Sequence, residues 1–208
     1  MTGYFITFEG GEGAGKTSAL NIVAQRLTEQ GYPITVTREP GGITIAEKIR
    51  AIILDREHTE MDARTEALLY AAARRQHLIE KVKPALSEGK IVLCDRFVDS
   101  SMAYQGYARG LGIDEIYHIN QFAIDQFMPD LTLFFDIEPS VGLARIKRNQ
   151  ERELNRLDLE KIAFHEQVYQ GYQILLGKFP NRIKAIDARL ELKDVVELAY
   201  QRVLDHIR

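Results

Sequence analysis

A chain of 208 residues with 27 basic and 30 acidic side chains carries a formal charge of −3, and its length suffices to bury roughly 70% of the unfolded surface without a disulfide or a structural metal. Its one cysteine, Cys94, excludes an internal disulfide framework, and its five histidines share no ligand spacing. The acidic balance argues against nucleic-acid binding, and no membrane span or secretory signal is legible, so the expectation is a cytoplasmic protein that engages neither nucleic acid nor membrane.

The first apolar run, Tyr4 to Phe8, predicts a buried strand, and a helical pattern from Gly15 to Gln30 follows it after a glycine-rich loop. Ile34 to Thr37 predicts a second strand, closed by Arg38-Glu39 and turned by Pro40-Gly41-Gly42. From Asp62 to Glu88, apolar residues recur at helical spacing until Gly89. Ile91 to Cys94 predicts a third strand with Asp95 and Arg96 at its carboxyl end. Ile113, Ile116, Asn120, Ala123 and Phe127 repeat the helical spacing, with Pro129 beyond the end, and Leu131 to Phe135 and Ile183 to Ile186 predict two more strands. Strands alternating with helices imply right-handed crossovers and an α/β fold, with a parallel sheet covered by helices on both faces. With no internal repeat and no linker, the chain reads as one domain over residues 1–208.

Gly10-Gly11-Glu12-Gly13-Ala14-Gly15-Lys16-Thr17 fills the pattern G-x-x-x-x-G-K-[ST] in full, between a predicted strand and a predicted helix. Such glycines let backbone N–H groups turn toward an anion at a helix N-terminus. Lys16 then reaches the β- and γ-phosphates of a nucleoside triphosphate, and the Thr17 hydroxyl is placed to ligate Mg²⁺. Asp95 would hold the same ion through water, and Arg96 would fork onto a phosphoryl oxygen. Arg38, Arg50 and Arg74 lie in the same half of the chain. Four arginines beside a loop lysine point to two phosphorylated ligands, hence phosphate transfer to a phosphate. A nucleotide-binding switch would share the loop but has no second phosphate to hold. Asn155-Arg156-Leu157-Asp158 is a poor match to a guanine-reading N-K-x-D, having Arg for Lys and no preceding strand.

Leu93-Cys94-Asp95-Arg96-Phe97-Val98-Asp99-Ser100-Ser101-Met102-Ala103-Tyr104-Gln105 resembles the signature stretch of thymidylate kinases. The likeness continues in Phe5-Ile6-Thr7-Phe8-Glu9-Gly10, in Thr37-Arg38-Glu39-Pro40-Gly41-Gly42, in the segment from Arg64 to Arg75, and in Arg156-Leu157-Asp158. These blocks run in family order over nearly the whole chain. The resemblance implies a five-stranded parallel sheet of the phosphate-loop nucleoside-monophosphate kinase type, transfer of the γ-phosphate of ATP to dTMP, and a homodimer. A deoxynucleoside kinase, or a kinase of another monophosphate, is the alternative enzyme.

On this resemblance Tyr70 lies flat against the thymine ring, and Arg74, one turn on, donates to thymine O4. Ser101 and Gln105 read the polar edge of the base, and Tyr104 disfavours a ribose 2′-hydroxyl. Arg38, Arg50 and Arg96 clamp the acceptor phosphate, with Glu39 beside it, and Glu12 meets the 3′-hydroxyl of dTMP. The eukaryotic branch carries an arginine in the phosphate loop where this chain has Gly13. The stretch from about 145 to 157 resembles the lid that supplies it in the bacterial branch. Arg148 and Arg152 are the expected catalytic donors, and Arg156 is expected to brace the next helix through Asp158.

Overall fold

The computed structural model describes residues 3–148 and 156–208. β1 (Tyr4–Glu9), β2 (Ile34–Arg38), β3 (Ile91–Asp95), β4 (Leu131–Asp136) and β5 (Ile183–Asp187) form one sheet in the order β2-β3-β1-β4-β5. Every adjacent pair is parallel, with Phe8 opposite Asp95 and Thr37 opposite Cys94 at the carboxyl edge. All five strands run one residue past their apolar stretch, ending on Glu9, Arg38, Asp95, Asp136 and Asp187. The buried runs thereby deliver a row of ionisable groups to one edge, where ligands of open α/β sheets collect.

Alternate strand residues face opposite layers, as the two-residue period requires. Ile6, Phe8, Leu93, Leu133 and Phe135 join the layer formed with α1 (Lys16–Glu29) and α9 (Leu192–Ile207). Phe5, Val92, Cys94 and Phe134 join the opposite layer, with α3 (Ala63–His77), α6 (Ile113–Ile124) and α8 (Ile162–Lys178). Between these lie α2 (Thr44–Leu54), α4 (Lys83–Ser87), α5 (Val98–Ser101) and α7 (Pro139–Arg148). Cys94 is fully buried, and burial pushes its thiol well above the ordinary range, so it packs as an inert side chain. Among the described residues no helix is long and apolar enough to cross a membrane.

The long helical pattern from Asp62 is capped at its start, since the Asp62 carboxylate accepts from the N–H groups of Arg64 and Thr65 at 2.9 and 3.0 Å. It is not one α-helix. Leu78–Val82 forms a wider π-type turn before α4, where Pro84 lacks the N–H that an α-helical ladder needs and would crowd the carbonyl one turn back. The helix expected to extend to Phe127 ends at Ile124, because Asp125 turns to φ 53° and breaks the ladder. Phe127 lies outside it, half-buried against the core.

Candidate active site

β1 runs straight into the phosphate loop, and three of its glycines make the turn possible. Gly10, Gly13 and Gly15 have φ of 140°, 71° and 84°, values that side-chain-bearing residues rarely adopt. A Cβ on Gly13 would also sit 2.0 Å from the Gly142 carbonyl oxygen, and one on Gly142 would sit 2.2 Å from the Glu12 carbonyl oxygen. α7 is therefore seated directly on the loop, backbone to backbone. Lys16 opens α1, is buried, and donates to the Gly11 carbonyl at 2.8 Å. Burial, with Arg96 nearby, lowers its pKa to about 8. The carboxylates of Glu12, Asp95 and Glu9 offset that shift only in part, and burial of the ammonium favours an anion brought beside it.

Thr17 Oγ1 donates to Asp95 Oδ2, joining the loop to the end of β3. One hydroxyl and one carboxylate are hard oxygen donors of the kind that Mg²⁺ uses together with substrate phosphates. Among the described residues no group of three or more His, Cys, Asp or Glu side chains gathers as a protein-only metal site.

Arg96 sits at φ 69°, a conformation unusual for a bulky residue and held only where the surroundings over-determine it. Its guanidinium donates to the Gly10 carbonyl at 2.9 Å, to Ser100 Oγ at 3.2 Å and to Glu12 Oε1 at 2.7 Å. Tyr104 Oη donates to the same Glu12 oxygen at 3.1 Å, and the Arg96 guanidinium lies 5.2 Å from the Tyr104 ring centroid. Glu12, Arg96 and Tyr104 thus form one cluster at the loop. Beneath it, Glu9 is fully buried and accepts from Phe97 N at 2.6 Å, Ser100 Oγ at 2.6 Å and Tyr172 Oη at 2.8 Å. Burial, with Asp99 nearby, raises its pKa to about 7. Nothing local in Glu9 distinguishes it from an ordinary strand-end acid, so this support was not legible in the sequence.

A cleft of about 680 Å³ opens from the phosphate loop, and Arg38, Glu39, Arg50, Tyr70, Arg74, Arg96, Ser101, Tyr104 and Gln105 all line it. The predicted acceptor residues are therefore brought together. Arg38 is half exposed and pairs with Glu47 at 2.7 Å, and Arg50 donates to the Pro40 carbonyl at 3.0 Å. Glu47 also accepts from Gly42 N at 2.7 Å, fixing the turn after β2.

Arg74 is only 2% exposed. It donates through Nε to Glu39 at 2.7 Å, through Nη1 to Ser101 Oγ at 3.0 Å and to Asn120 Oδ1, and through Nη2 to the Phe97 carbonyl at 3.1 Å. Four of its five N–H donors are committed to protein, leaving one on Nη2 for a ligand. Glu39 is equally bound, since His77 Nδ1 lies 2.9 Å from its other oxygen and His77 Nε2 lies 2.7 Å from Thr37 Oγ1. Glu39 braces Arg74 more than it faces open solvent. Asn120 and His77, read from sequence as a helix position and an isolated histidine, complete this buried network.

Arg156 donates to the Ile53 carbonyl at 3.0 Å and to the Glu66 carboxylate, so it ties its segment to α2 and α3. Arg148 is exposed at the end of α7 and does not line the cleft; Arg145, one turn earlier, does, and donates to the Ala188 carbonyl at 2.9 Å. Arg152 lies outside the described residues.

The family model for thymidylate kinase matches residues 8–199. The thymidylate kinase of Oceanobacillus iheyensis is 67% identical over 195 residues, covering 94% of this chain and 87% of that protein. That of Bacillus licheniformis is 61% identical, covering 98% and 94%. The crystal structure of thymidylate kinase from Ehrlichia chaffeensis superposes with a TM-score of 0.78 at 31% identity, covering 98% of this chain and 99% of that one.

Proposed function

The chain belongs to the thymidylate kinase family, ATP-dependent phosphotransferases that convert dTMP to dTDP for dTTP synthesis, and we propose that one domain over residues 1–208 seats both substrates in the single cleft described above. The loop from Gly10 to Thr17 takes the ATP phosphates. Tyr70, Arg74, Ser101 and Gln105 take the thymine, Tyr104 and Glu12 the sugar, and Arg38, Arg50 and Arg96 the acceptor phosphate, with Glu39 behind them. The observation that carries this reading is the convergence of Lys16 and Arg96 on one cleft that Tyr70 and Arg74 also line. Two cationic centres in one cleft suit a donor and an acceptor phosphate.

Thr17 and Asp95, the latter through water, are the residues that would hold Mg²⁺; bound there, it would offset charge on the donor phosphates. Phosphoryl transfer asks the protein mainly for alignment and charge stabilisation. Lys16 and Arg96 supply fixed positive charge, and the loop N–H groups orient the donor. The acceptor oxygen is already largely anionic near pH 7, because a phosphate monoester has a second pKa of about 6. No strong general base is needed. The steric seat of Gly142 against the loop explains why position 13 cannot carry an arginine here, and a lid spanning about 145–157 is the source of the missing cation. Arg148 and Arg152 remain the proposed donors, and Arg145 is already at the cleft wall.

A homodimer joined through α3 and α6 fits the surface: Phe122 is 90% exposed and Leu68 57% exposed on these two helices, and Ile119 is half-buried nearby. Burial of such side chains is the ordinary reason for a permanent interface. The place of action is the cytoplasm, where ATP is supplied. Coupled ADP-release assays with dTMP, dUMP, dCMP and dAMP offered in turn test the assignment. The expected order puts dTMP first, and turnover of dCMP or dAMP without dTMP overturns it.

A further inference from the structure

Glu66 precedes Tyr70 by one turn of α3, is only 1% exposed and does not line the cleft. Its carboxylate accepts from Gln105 Nε2 at 2.8 Å, from Arg156, and from Arg109 at 3.4 Å. Burial alone would raise its pKa, but the Arg156 and Arg109 guanidiniums and the Gln105 amide together hold it below the ordinary value. An ionised carboxylate can only accept hydrogen bonds. Gln105 is therefore obliged to turn its NH₂ toward Glu66. Among the described residues no protein group donates to its Oε1, which is not sealed from solvent, and Gln105 lines the cleft. The amide thus offers the cleft its acceptor end.

We propose that Glu66 is the positioning residue that sets pyrimidine choice: by locking the Gln105 amide it presents a carbonyl oxygen to a ring N3–H, which thymine and uracil carry and cytosine lacks. The inference rests on dTMP occupying the cleft as proposed above. It assigns the discrimination to a charge that never touches the base. The Arg109 and Arg156 guanidiniums enter as the groups that keep that charge ionised. Arg74 supplies a separate check, because its remaining N–H favours the thymine 4-oxo group over the cytosine 4-amino group.

Glu66→Gln tests the assignment. Arg156 would keep the carbonyl of the new amide, whose NH₂ would then face Gln105 and reverse it, so that an NH₂ meets the base. The expected result is a fall of about tenfold in the ratio of kcat/KM for dTMP to that for dCMP, the scale of one hydrogen bond lost or gained. The dTMP to dUMP ratio stays within about twofold, since both bases carry N3–H and differ only by a methyl group. A merely structural brace would depress all three substrates together. Glu66→Asp keeps the charge for the arginines but withdraws the acceptor from Gln105 by one methylene, and shifts the dCMP ratio in the same direction by a smaller factor. An unchanged dTMP to dCMP ratio in both variants overturns the role of Glu66 while leaving the enzyme's assignment intact. Wild-type protein that accepts dCMP as readily as dTMP overturns the underlying reading instead. If neither variant folds by circular dichroism, Glu66 is a structural brace and the proposal fails.

Discussion

Arg74→Met removes a guanidinium of which almost nothing is exposed and leaves a side chain of similar length. Four hydrogen bonds disappear with it, and Glu39 loses the cation 2.7 Å away. His77 Nδ1 stays within 2.9 Å of the other Glu39 oxygen, so the carboxylate is not wholly abandoned. Breaking a buried ion pair from one side costs about 3–5 kcal/mol, because the remaining charge has no solvent to return to. For a chain of this size each kcal/mol moves Tm by about 2–4 °C, so the variant should melt about 6–20 °C lower. Glu39→Gln in the same chain removes the stranded charge and should recover more than half of that loss. Thermal unfolding followed by circular dichroism, with and without saturating dTMP, reads both effects. The dTMP-dependent rise in Tm should also shrink, since the one uncommitted N–H is gone. If Arg74→Met raises KM for dTMP without moving the ligand-free Tm, the buried network contributes nothing to folding and the reasoning is wrong.

Glu9 has a folded pKa of about 7 against an ordinary 4.5, so its contribution is fully present below pH 4.5 and is lost as pH rises to 7; the total is on the order of 3 kcal/mol. Glu9→Gln should flatten that part of a urea-unfolding pH series, and a slope unchanged from wild type would refute the assignment. Lys16, held at about 8 by burial and Arg96, should take up a proton when ATP binds at pH 8–9, because phosphate favours the ammonium. Titration calorimetry in buffers of different ionisation enthalpy detects the uptake, and equal heats in all buffers would exclude it. Gly142→Ala places a Cβ 2.2 Å from the Glu12 carbonyl and forces α7 off the loop, so KM for ATP should rise about tenfold or more while KM for dTMP changes little. A normal KM for ATP would show that the loop does not depend on this seat. Arg148→Ala and Arg152→Ala should lower kcat far more than they raise KM for dTMP, by as much as about 10³ for the residue that contacts the transferring group. If both variants and their combination keep near-normal kcat at saturating ATP and Mg²⁺, the lid donates no catalytic charge.

Local pattern carried most of the fold. Short β-branched runs, helical spacing and a glycine-rich loop are properties of neighbouring residues, and they sufficed to predict all five strands, the parallel sheet and the loop that joins β1 to α1. The same holds for the residues at the carboxyl edge: once β3 is a buried strand, Asp95 and Arg96 have nowhere else to be. The boundary at Ile124 was less legible, because Asp125 leaves the helix by a single backbone rotation that the apolar spacing of Phe127 does not record. What the tertiary structure alone decided is which partner each long side chain takes. Arg74, Arg109 and Arg156 each have reach enough for several carboxylates, and Glu9, Glu39 and Glu66 are separated from their partners by 35 to 163 positions in the chain. Packing of α3, α6 and the segment after α5 brings those groups within hydrogen-bond distance. There, buried charge without a partner is costly, and each acid is held to the donors that the fold places beside it.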